Sequence, residues 1–253
     1  SMSGVSWNWL AGTAFTNDAS ATGIGSIDTT GQVNQDAGFS VFTYTGNGTV
    51  GATLKHGLTT VPHVIIVRRR NTANSWYMYH HANTSAPETD YLELNNTNAT
   101  NDGDFINNDT APTTSLIETH DNNTTNASSD TYVMWCWSEV DGYSKFGSYK
   151  GNGSTDGTYI HTGFPVAWIM VKRTDSADNW AIYDNKRDTI NVRTKYLLAD
   201  DPQAEATYST ALVDFLSNGF KWKGAVNFGN NSSGTYVYMA FSSGTGFKYS
   251  NAL

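Results

Sequence analysis

Short apolar runs separated by clusters of Gly, Asn, Thr and Ser set the pattern of this chain. In Phe39-Ser40-Val41-Phe42-Thr43-Tyr44 the alternation places Phe39, Val41 and Thr43 on one side of a strand and Ser40, Phe42 and Tyr44 on the other. Val64-Ile65-Ile66-Val67 and Trp168-Ile169-Met170-Val171 are apolar at consecutive positions, which predicts strands covered on both faces. Each run follows a proline, Pro62 or Pro165, at a strand start where a missing N–H does no harm. Gly46-Asn47-Gly48 and Gly151-Asn152-Gly153 supply the positive φ values of a tight hairpin. Only Pro202 to Leu216 has helical spacing, through Ala206, Leu212, Val213 and Leu216, and it predicts a short helix.

The apolar pattern repeats. Gly38-Phe39-Ser40-Val41-Phe42 is answered by Gly142-Tyr143-Ser144-Lys145-Phe146, a displacement of 104 from Gly38 to Gly142. Both segments continue into Tyr-x-Gly-Asn-Gly-Thr/Ser, at Tyr44 to Thr49 and Tyr149 to Ser154. The same displacement relates the two apolar runs, Trp76 to Trp180, Tyr79 to Tyr183, and Thr131-Tyr132-Val133 to Thr235-Tyr236-Val237. Tyr91-Leu92 meets Tyr196-Leu197 after a slip of one residue. The expected organisation is an N-terminal strand and linker over 1–37, a first sandwich unit over 38–141 and a second over 142–253. Val5-Ser6-Trp7-Asn8-Trp9 resembles the closing strand Val133-Met134-Trp135-Cys136-Trp137, as though a preceding copy ended there, and Ser1-Met2 reads as a cloning remnant. The repeat leaves open whether the two units pack together.

Composition adds to this all-β reading. Charged residues make up 15 % of the chain, against roughly 25 % in an average soluble domain, and the polarity comes from small turn-forming residues. A net charge of −8 and a pI near 5.1 argue against nucleic acid and against anionic membrane surfaces. No apolar stretch has the length of a membrane helix, and residues 1–37 show no basic-then-apolar signal pattern. Cys136, the one cysteine, has no disulfide partner in the chain and, between Trp135 and Trp137, is expected to pack as a small apolar residue.

The Gly-Phe-Ser…Tyr-Thr-Gly-Asn-Gly-Thr segment, the Pro…Val-Ile-Ile-Val…Trp block and the Thr-Tyr-Val closing strand together resemble an uncharacterised repeat family of marine phage and ocean metagenome proteins, found in long virion-associated, tail-fibre-like chains. The resemblance covers the chain from Val5 onward. It implies two tandem antiparallel β-sandwich units, jelly-roll or concanavalin-like, in a virion or extracellular setting. The partners it implies are a cell-surface glycan or host receptor and other virion proteins. It brings no catalytic residues with it.

Candidate chemistry is sparse. Glu88-Thr89-Asp90-Tyr91-Leu92-Glu93 resembles the carboxylate strand of retaining β-glucanases, in which a nucleophile and an acid/base share one strand face. Glu88 and Asp90 share a face, but Glu93 needs a bulge to join them, and the second unit has no carboxylate trio beside Tyr196-Leu197. Asn101-Asp102-Gly103-Asp104 offers a few calcium oxygens without a downstream bidentate Glu, and Asp200-Asp201 is an isolated pair. His80 and His81 are neighbours on a strand and should face opposite ways, with His56, His63, His120 and His161 scattered, so no metal or other cofactor is expected. Neither a Gly-x-Ser-x-Gly elbow nor a P-loop is present. Arg68-Arg69-Arg70 reads as solvated charge closing a buried strand, and as a contact for acidic polysaccharide in the alternative.

Aromatic residues remain, at 13 % of the chain with 8 Trp and 14 Tyr. Trp76, Trp180, Trp135 and Trp137 recur in both units or close a strand, and read as core. Aromatics peculiar to one unit, Tyr77 and Trp222, are the candidate ligand-binding residues, with Tyr44 and Tyr149 exposed beside the Gly-Asn-Gly turns. The expected function is a non-catalytic attachment module of a phage tail or virion that binds carbohydrate on a host surface. The alternatives are a glycoside hydrolase using Glu88, Asp90 and Glu93, and a purely structural virion component.

Overall fold

A strand that is apolar at consecutive positions has to be covered on both faces, and strands of this kind form the centre of the molecule. The computed structural model describes residues 4–210 and 212–243; Ser1-Met2 and the end of the second expected unit lie outside the described residues. An eight-stranded antiparallel sheet takes β1 (Thr13–Asn17), β2 (Thr29–Asn34), β3 (Phe39–Thr45), β5 (Val64–Arg69), β6 (Tyr77–His80), β7 (Asp90–Glu93), β8 (Asn101–Asp102) and β10 (Thr131–Trp137), in the order β1-β2-β3-β10-β5-β6-β7-β8. A separate ladder pairs β4 (Ala52–Lys55) with β9 (Leu116–Thr119). A six-stranded sheet runs β11 (Ser144–Lys150), β19 (Thr235–Ser242), β13 (Val166–Arg173), β14 (Ala181–Asp184), β15 (Lys195–Leu198) and β16 (Ala206–Thr207). Finally β12 (Tyr159–His161), β18 (Gly219–Trp222) and β17 (Val213–Leu216) form a three-stranded sheet.

Three apolar cores stack these sheets into four layers. Ile65 and Val67 of β5 point with Phe42, Tyr44 and Met134 toward Leu54 of β4 and Ile117 of β9. Their strand neighbours Val64 and Ile66 point the other way, with Phe39 and Trp137, into a central core shared with the six-stranded sheet. That sheet contributes Phe146, Trp168, Met170, Ile182, Val237 and Phe241. Its alternate residues, among them Ile169, Val171 and Tyr238, face Phe215, Phe220 and Trp222 of the three-stranded sheet. The two large sheets are thus inner layers packed against each other. Each fully buried aliphatic side chain there contributes about 1.5–3 kcal/mol.

The two large sheets share an order: β11-β19-β13-β14-β15-β16 follows the sequence of pairings in β3-β10-β5-β6-β7-β8. Details agree as well. Tyr44 stacks on Tyr132 at 5.1 Å and Tyr149 on Tyr236 at 5.1 Å. Fully buried Asn126 accepts from the Asn47 N–H and donates to the Asn47 side chain and the Thr49 carbonyl. Asn230 does the same with Asn152 and Ser154, and also donates to the Gly224 carbonyl. A Cβ at Gly46 would lie 2.3 Å from the Ala127 carbonyl oxygen, and one at Gly151 2.3 Å from that of Asn231, so only glycine lets these loops touch.

Three expectations are corrected. The Gly-Asn-Gly segments do not close hairpins: β3 and β4 belong to different layers, and the loop is a crossover pinned by Asn126, although Gly48 and Gly153 do take positive φ. No helix forms over Pro202 to Leu216. Val213 and Phe215 alternate inward on β17, which pairs with β18 across a tight turn, because tertiary burial favours period two over the helical spacing of four scattered apolar residues. Val5 to Trp9 is not a strand but a strap without regular structure; the segment after it, read as a linker or a loosely strand-forming connection, forms the two strands β1 and β2 at the sheet edge. Cys136 is buried, and burial raises its thiol pKa far above the usual range. No helix among the described residues is long and apolar enough to cross a membrane.

Replacing Asn126 or Asn230 with Ala is expected to cost about 2–4 kcal/mol each, since several buried backbone groups lose their partner. Urea midpoints of the two variants check this. Acid should also unfold the protein. His56 and His80 are buried with Nδ1 accepting a backbone N–H, from Leu58 and Ala82, and Nε2 donating to the carbonyls of Thr113 and Tyr238. Burial lowers their pKa to about 4 and about 3. Both remain neutral when folded but take a proton when unfolded below the ordinary imidazole value of 6.5. Their stabilisation is therefore complete above that pH and falls, by about 1.4 kcal/mol per pH unit for each, as pH drops toward 4. Urea midpoints between pH 7.5 and 4.5 should show this slope, and His80→Gln should flatten it by the share of one proton.

Candidate functional site

The strap Val5–Trp9 crosses one end of the central core, where β13 and β19 carry Trp168 and Phe241 on the face they turn to the other large sheet. Trp9 packs edge-on against Trp168, Phe241 and Trp137 with centroids 5.7, 5.5 and 6.0 Å away. Trp7 meets Trp168 at 6.2 Å, and Tyr143 meets Phe241 at 5.8 Å. Between strap and sheet lies a groove of 670 Å³, with Trp168 and Phe241 buried at its floor and Trp7, Trp9 and Tyr143 half-buried at its sides.

Its polar rim comes from the turn after β14. Asp184 accepts the N–H groups of Lys186 and Arg187 at 2.9 Å each and the Arg187 Nε at 2.6 Å. Burial works to raise the Asp184 pKa, but these donors outweigh it and hold the carboxyl below its usual value. Arg187 also binds Glu205 and lies 5.9 Å from the Trp7 ring. Asp184 is the only carboxylate among the residues lining the groove, and it is fully engaged in holding the turn. Half-buried Asn185 and exposed Lys186 stand at the rim. A second groove, of 510 Å³, runs past Asp28, Thr30, Thr43 and Arg70; its one aromatic, Tyr44, is 5 % exposed, so it presents no ring face.

Of the residues expected to bind ligand, Tyr44 and Trp222 are buried and Tyr77 and Tyr149 are half-buried. Trp222 is fully buried beneath Gly229, where an added Cβ would lie 2.0 Å from the indole. Tyr44 and Tyr149 turn inward, and their hydroxyls donate to the carbonyls of Thr125 and Gly229 at 2.7 Å. Adjacency to a turn exposes the turn's backbone, whereas strand alternation decides where the ring goes. Tyr77 is half-buried against Tyr91 and Phe105. Conversely Trp76, expected in the core with Trp180, is 36 % exposed while Trp180 is 1 % exposed.

The carboxylates do not converge. Glu88 lies on a 3₁₀ turn, Pro87–Thr89, ahead of β7, and on that short strand Asp90 and Glu93 face opposite ways. Asp90 accepts from the Thr84 hydroxyl, and Glu93 is nearly buried and accepts from the amides of Asn96 and Asn98 at 2.6 and 3.0 Å. Asp104 pairs with His120, Asp102 lies in β8, and Asp200 accepts from Asn179 and from the Trp180 N–H. Among the described residues no three His, Cys, Asp or Glu side chains are grouped to hold a metal. His80 and His81 do not face apart as expected: their rings stack at 5.5 Å because His81 begins the turn, and His63 packs edge-on to His81 at 4.6 Å. His80 and His81 bond the carbonyls of Tyr238 and Phe146, which ties the two large sheets together.

The groove aromatics were obscured by the repeat itself. Trp168 stands where β5 has Val64: each is opposite a closing-strand aromatic, Phe241 or Trp137. Comparing the two runs residue by residue, rather than as blocks, marks Trp168 as an aromatic peculiar to the second unit. In comparisons with known proteins, the family model described as Domain of unknown function (DUF7483) matches residues 1–244. No curated protein and no solved structure matches.

Glu93, held by two amides, is a loop anchor by this geometry. Glu93→Ala should lower stability by about 1–3 kcal/mol through the loss of charge-assisted hydrogen bonds. Thermal unfolding and hydrogen exchange of residues 94–100 would show the loosened loop, and an unchanged exchange pattern would contradict the anchoring role.

Proposed function

This chain belongs to the DUF7483 family, a domain of unknown function, and we propose that it is a non-catalytic attachment module that holds a glycan in the groove between the Val5–Trp9 strap and the second large sheet. The observation that carries the reading is the lining of that groove. Five aromatic rings line one cavity, of which Trp7, Trp9 and Tyr143 present partly exposed rings above a floor of buried Trp168 and Phe241, with the Asn185 amide and the Lys186 ammonium at the rim and a single carboxylate that is already saturated by hydrogen bonds. Flat rings cover the C–H faces of a pyranose, and a few fixed polar groups orient its hydroxyls, which is the usual economy of a small-ligand site.

Hydrolysis of a glycoside by the common route asks for two carboxyl groups across the bond. A groove with one, committed to Arg187 and two backbone N–H groups, is suited to binding. The weakly charged surface, rich in Asn and Thr, fits a particle or envelope setting, and the sequence resemblance to tail-fibre-like chains points to a virion.

Retention on immobilised neutral polysaccharides, followed by a glycan array, tests the reading. Trp7→Ala and Trp9→Ala should each weaken binding by about tenfold or more, equivalent to roughly 1.4 kcal/mol. Lys186→Ala should have a smaller effect. A wild-type protein retained by no glycan, with its near-UV circular dichroism intact, would end this proposal.

A further inference from the structure

The two large sheets leave their matched cation–aromatic pairs in different states. On the six-stranded sheet Lys172 lies 6.0 Å from the Trp180 ring and is fully buried. Its Nζ donates to the carbonyls of Thr97 and Arg173, and the Trp180 Nε1 donates to the Glu93 carbonyl. The residues that cover this pair are the loop after β7, which is further tied down by the Asp178 N–H to the Thr97 carbonyl and by the Thr100 N–H to the Thr174 carbonyl.

On the eight-stranded sheet the corresponding pair is Arg68 and Trp76, 5.7 Å apart. Here, among the described residues, no loop of the opposite sheet is hydrogen-bonded over the pair. Trp76 stacks on Trp135 with centroids 5.2 Å apart and planes within 15°, and the residue is 36 % exposed. Arg68, half-buried, forms no ion pair among the described residues, and its Nη1 is shut off from solvent without a hydrogen-bond acceptor. Its neighbour Arg69 is paired with Asp130, and Arg173 and Arg187 are likewise paired with carboxylates. The flanking positions Asn74, Ser75 and Asn95 are amides and a hydroxyl, and the Asn95 Oδ1 accepts the Trp76 N–H at 2.8 Å.

We infer that Arg68, Trp76 and Trp135 form a second binding site, separate from the groove, for a carboxylate-bearing sugar such as a hexuronate. The exposed part of Trp76 offers an apolar surface for one sugar, and the guanidinium beside it offers its N–H groups other than the enclosed Nη1 to one carboxylate. One exposed ring and one unpaired cation match one pyranose with one carboxylate. A densely charged polyanion would be repelled by a chain of net charge −8. The Glu93–Thr100 loop of a second copy is not free to cover this pair, because it is already used on its own Lys172 and Trp180. The inference shares with the groove only the chemistry of stacking and uses none of its residues.

The test is titration of the whole chain with trigalacturonate and with alginate trimers, against cellotriose as the neutral match, followed by calorimetry and tryptophan fluorescence. The acidic trimers should bind and cellotriose should bind at least about tenfold more weakly, with the preference shrinking as salt rises. Trp76→Ala should abolish binding and Trp76→Phe restore part of it. Arg68→Gln should remove the preference for the acidic trimer, while Arg68→Lys, which keeps the charge and guards against a folding defect, should retain some of it. Trp7→Ala and Trp9→Ala should leave these titrations unchanged, so failure of the groove and failure of this site are told apart. Equal binding of acidic and neutral trimers, no binding of either acidic trimer, or binding indifferent to Trp76→Ala in a folded variant would each overturn the inference.

Discussion

The face-to-face burial of two sheets, each already covered on its other face, is the constraint from which the rest of this molecule follows. Val64 and Ile66 on one sheet and Trp168 and Met170 on the other have no other apolar layer to meet, so the two sheets must pack together. A pair of independent sandwiches would leave those side chains in water, at a cost of about 25 cal/mol for each Å² exposed. The central core is sealed by polar ties that cross it: His80 and His81 to backbone of the six-stranded sheet, Trp180 and Lys172 to backbone of the eight-stranded one. Each of these groups would be orphaned if the layers separated, so the interface is directional as well as apolar.

The same packing generates the surfaces of functional interest. Two sheets of the same strand order meet, but their ends are not covered alike. At one end His80 and its turn are buried against β19, whereas the matching turn at Asp184 lines a groove together with the Val5–Trp9 strap. At the other end Lys172 and Trp180 are buried under a loop, whereas Arg68 and Trp76 stand open. Two sheets of the same strand order thus differ in what covers their matched positions. The carboxylates of β7 serve the scaffold: Glu93 fixes the loop that covers Lys172, and its neighbours along the chain point elsewhere.

Much of the architecture was legible in the residues. Alternation over Phe39 to Tyr44 sorted those side chains correctly between two cores, and the consecutive apolar runs were rightly read as doubly covered strands. The failures share one cause, which is that a local pattern says which way a side chain points along a strand but not what lies opposite. Tyr44 and Tyr149 neighbour exposed turns yet point into the core, and Trp222 sits under a glycine from a distant segment. The helical spacing before Leu216 was outweighed by pairing with β18. Asn126 and Asn230, the most consequential polar residues of the loops, are plain asparagines in a chain full of them; their one visible sign is that each stands six residues before a tyrosine, Tyr132 or Tyr236, at matched positions.

The sequence by itself determined the all-β class and the strands covered on both faces, because these depend on side-chain period and residue type, which are local. Only the tertiary structure decided which aromatics meet solvent. Trp76 and Trp180 are the same residue in the same position of similarly ordered sheets, yet one is open and the other closed. The difference lies in a loop that arrives over Trp180 from the opposite sheet, and no property of either tryptophan's own neighbourhood in the chain records that arrival.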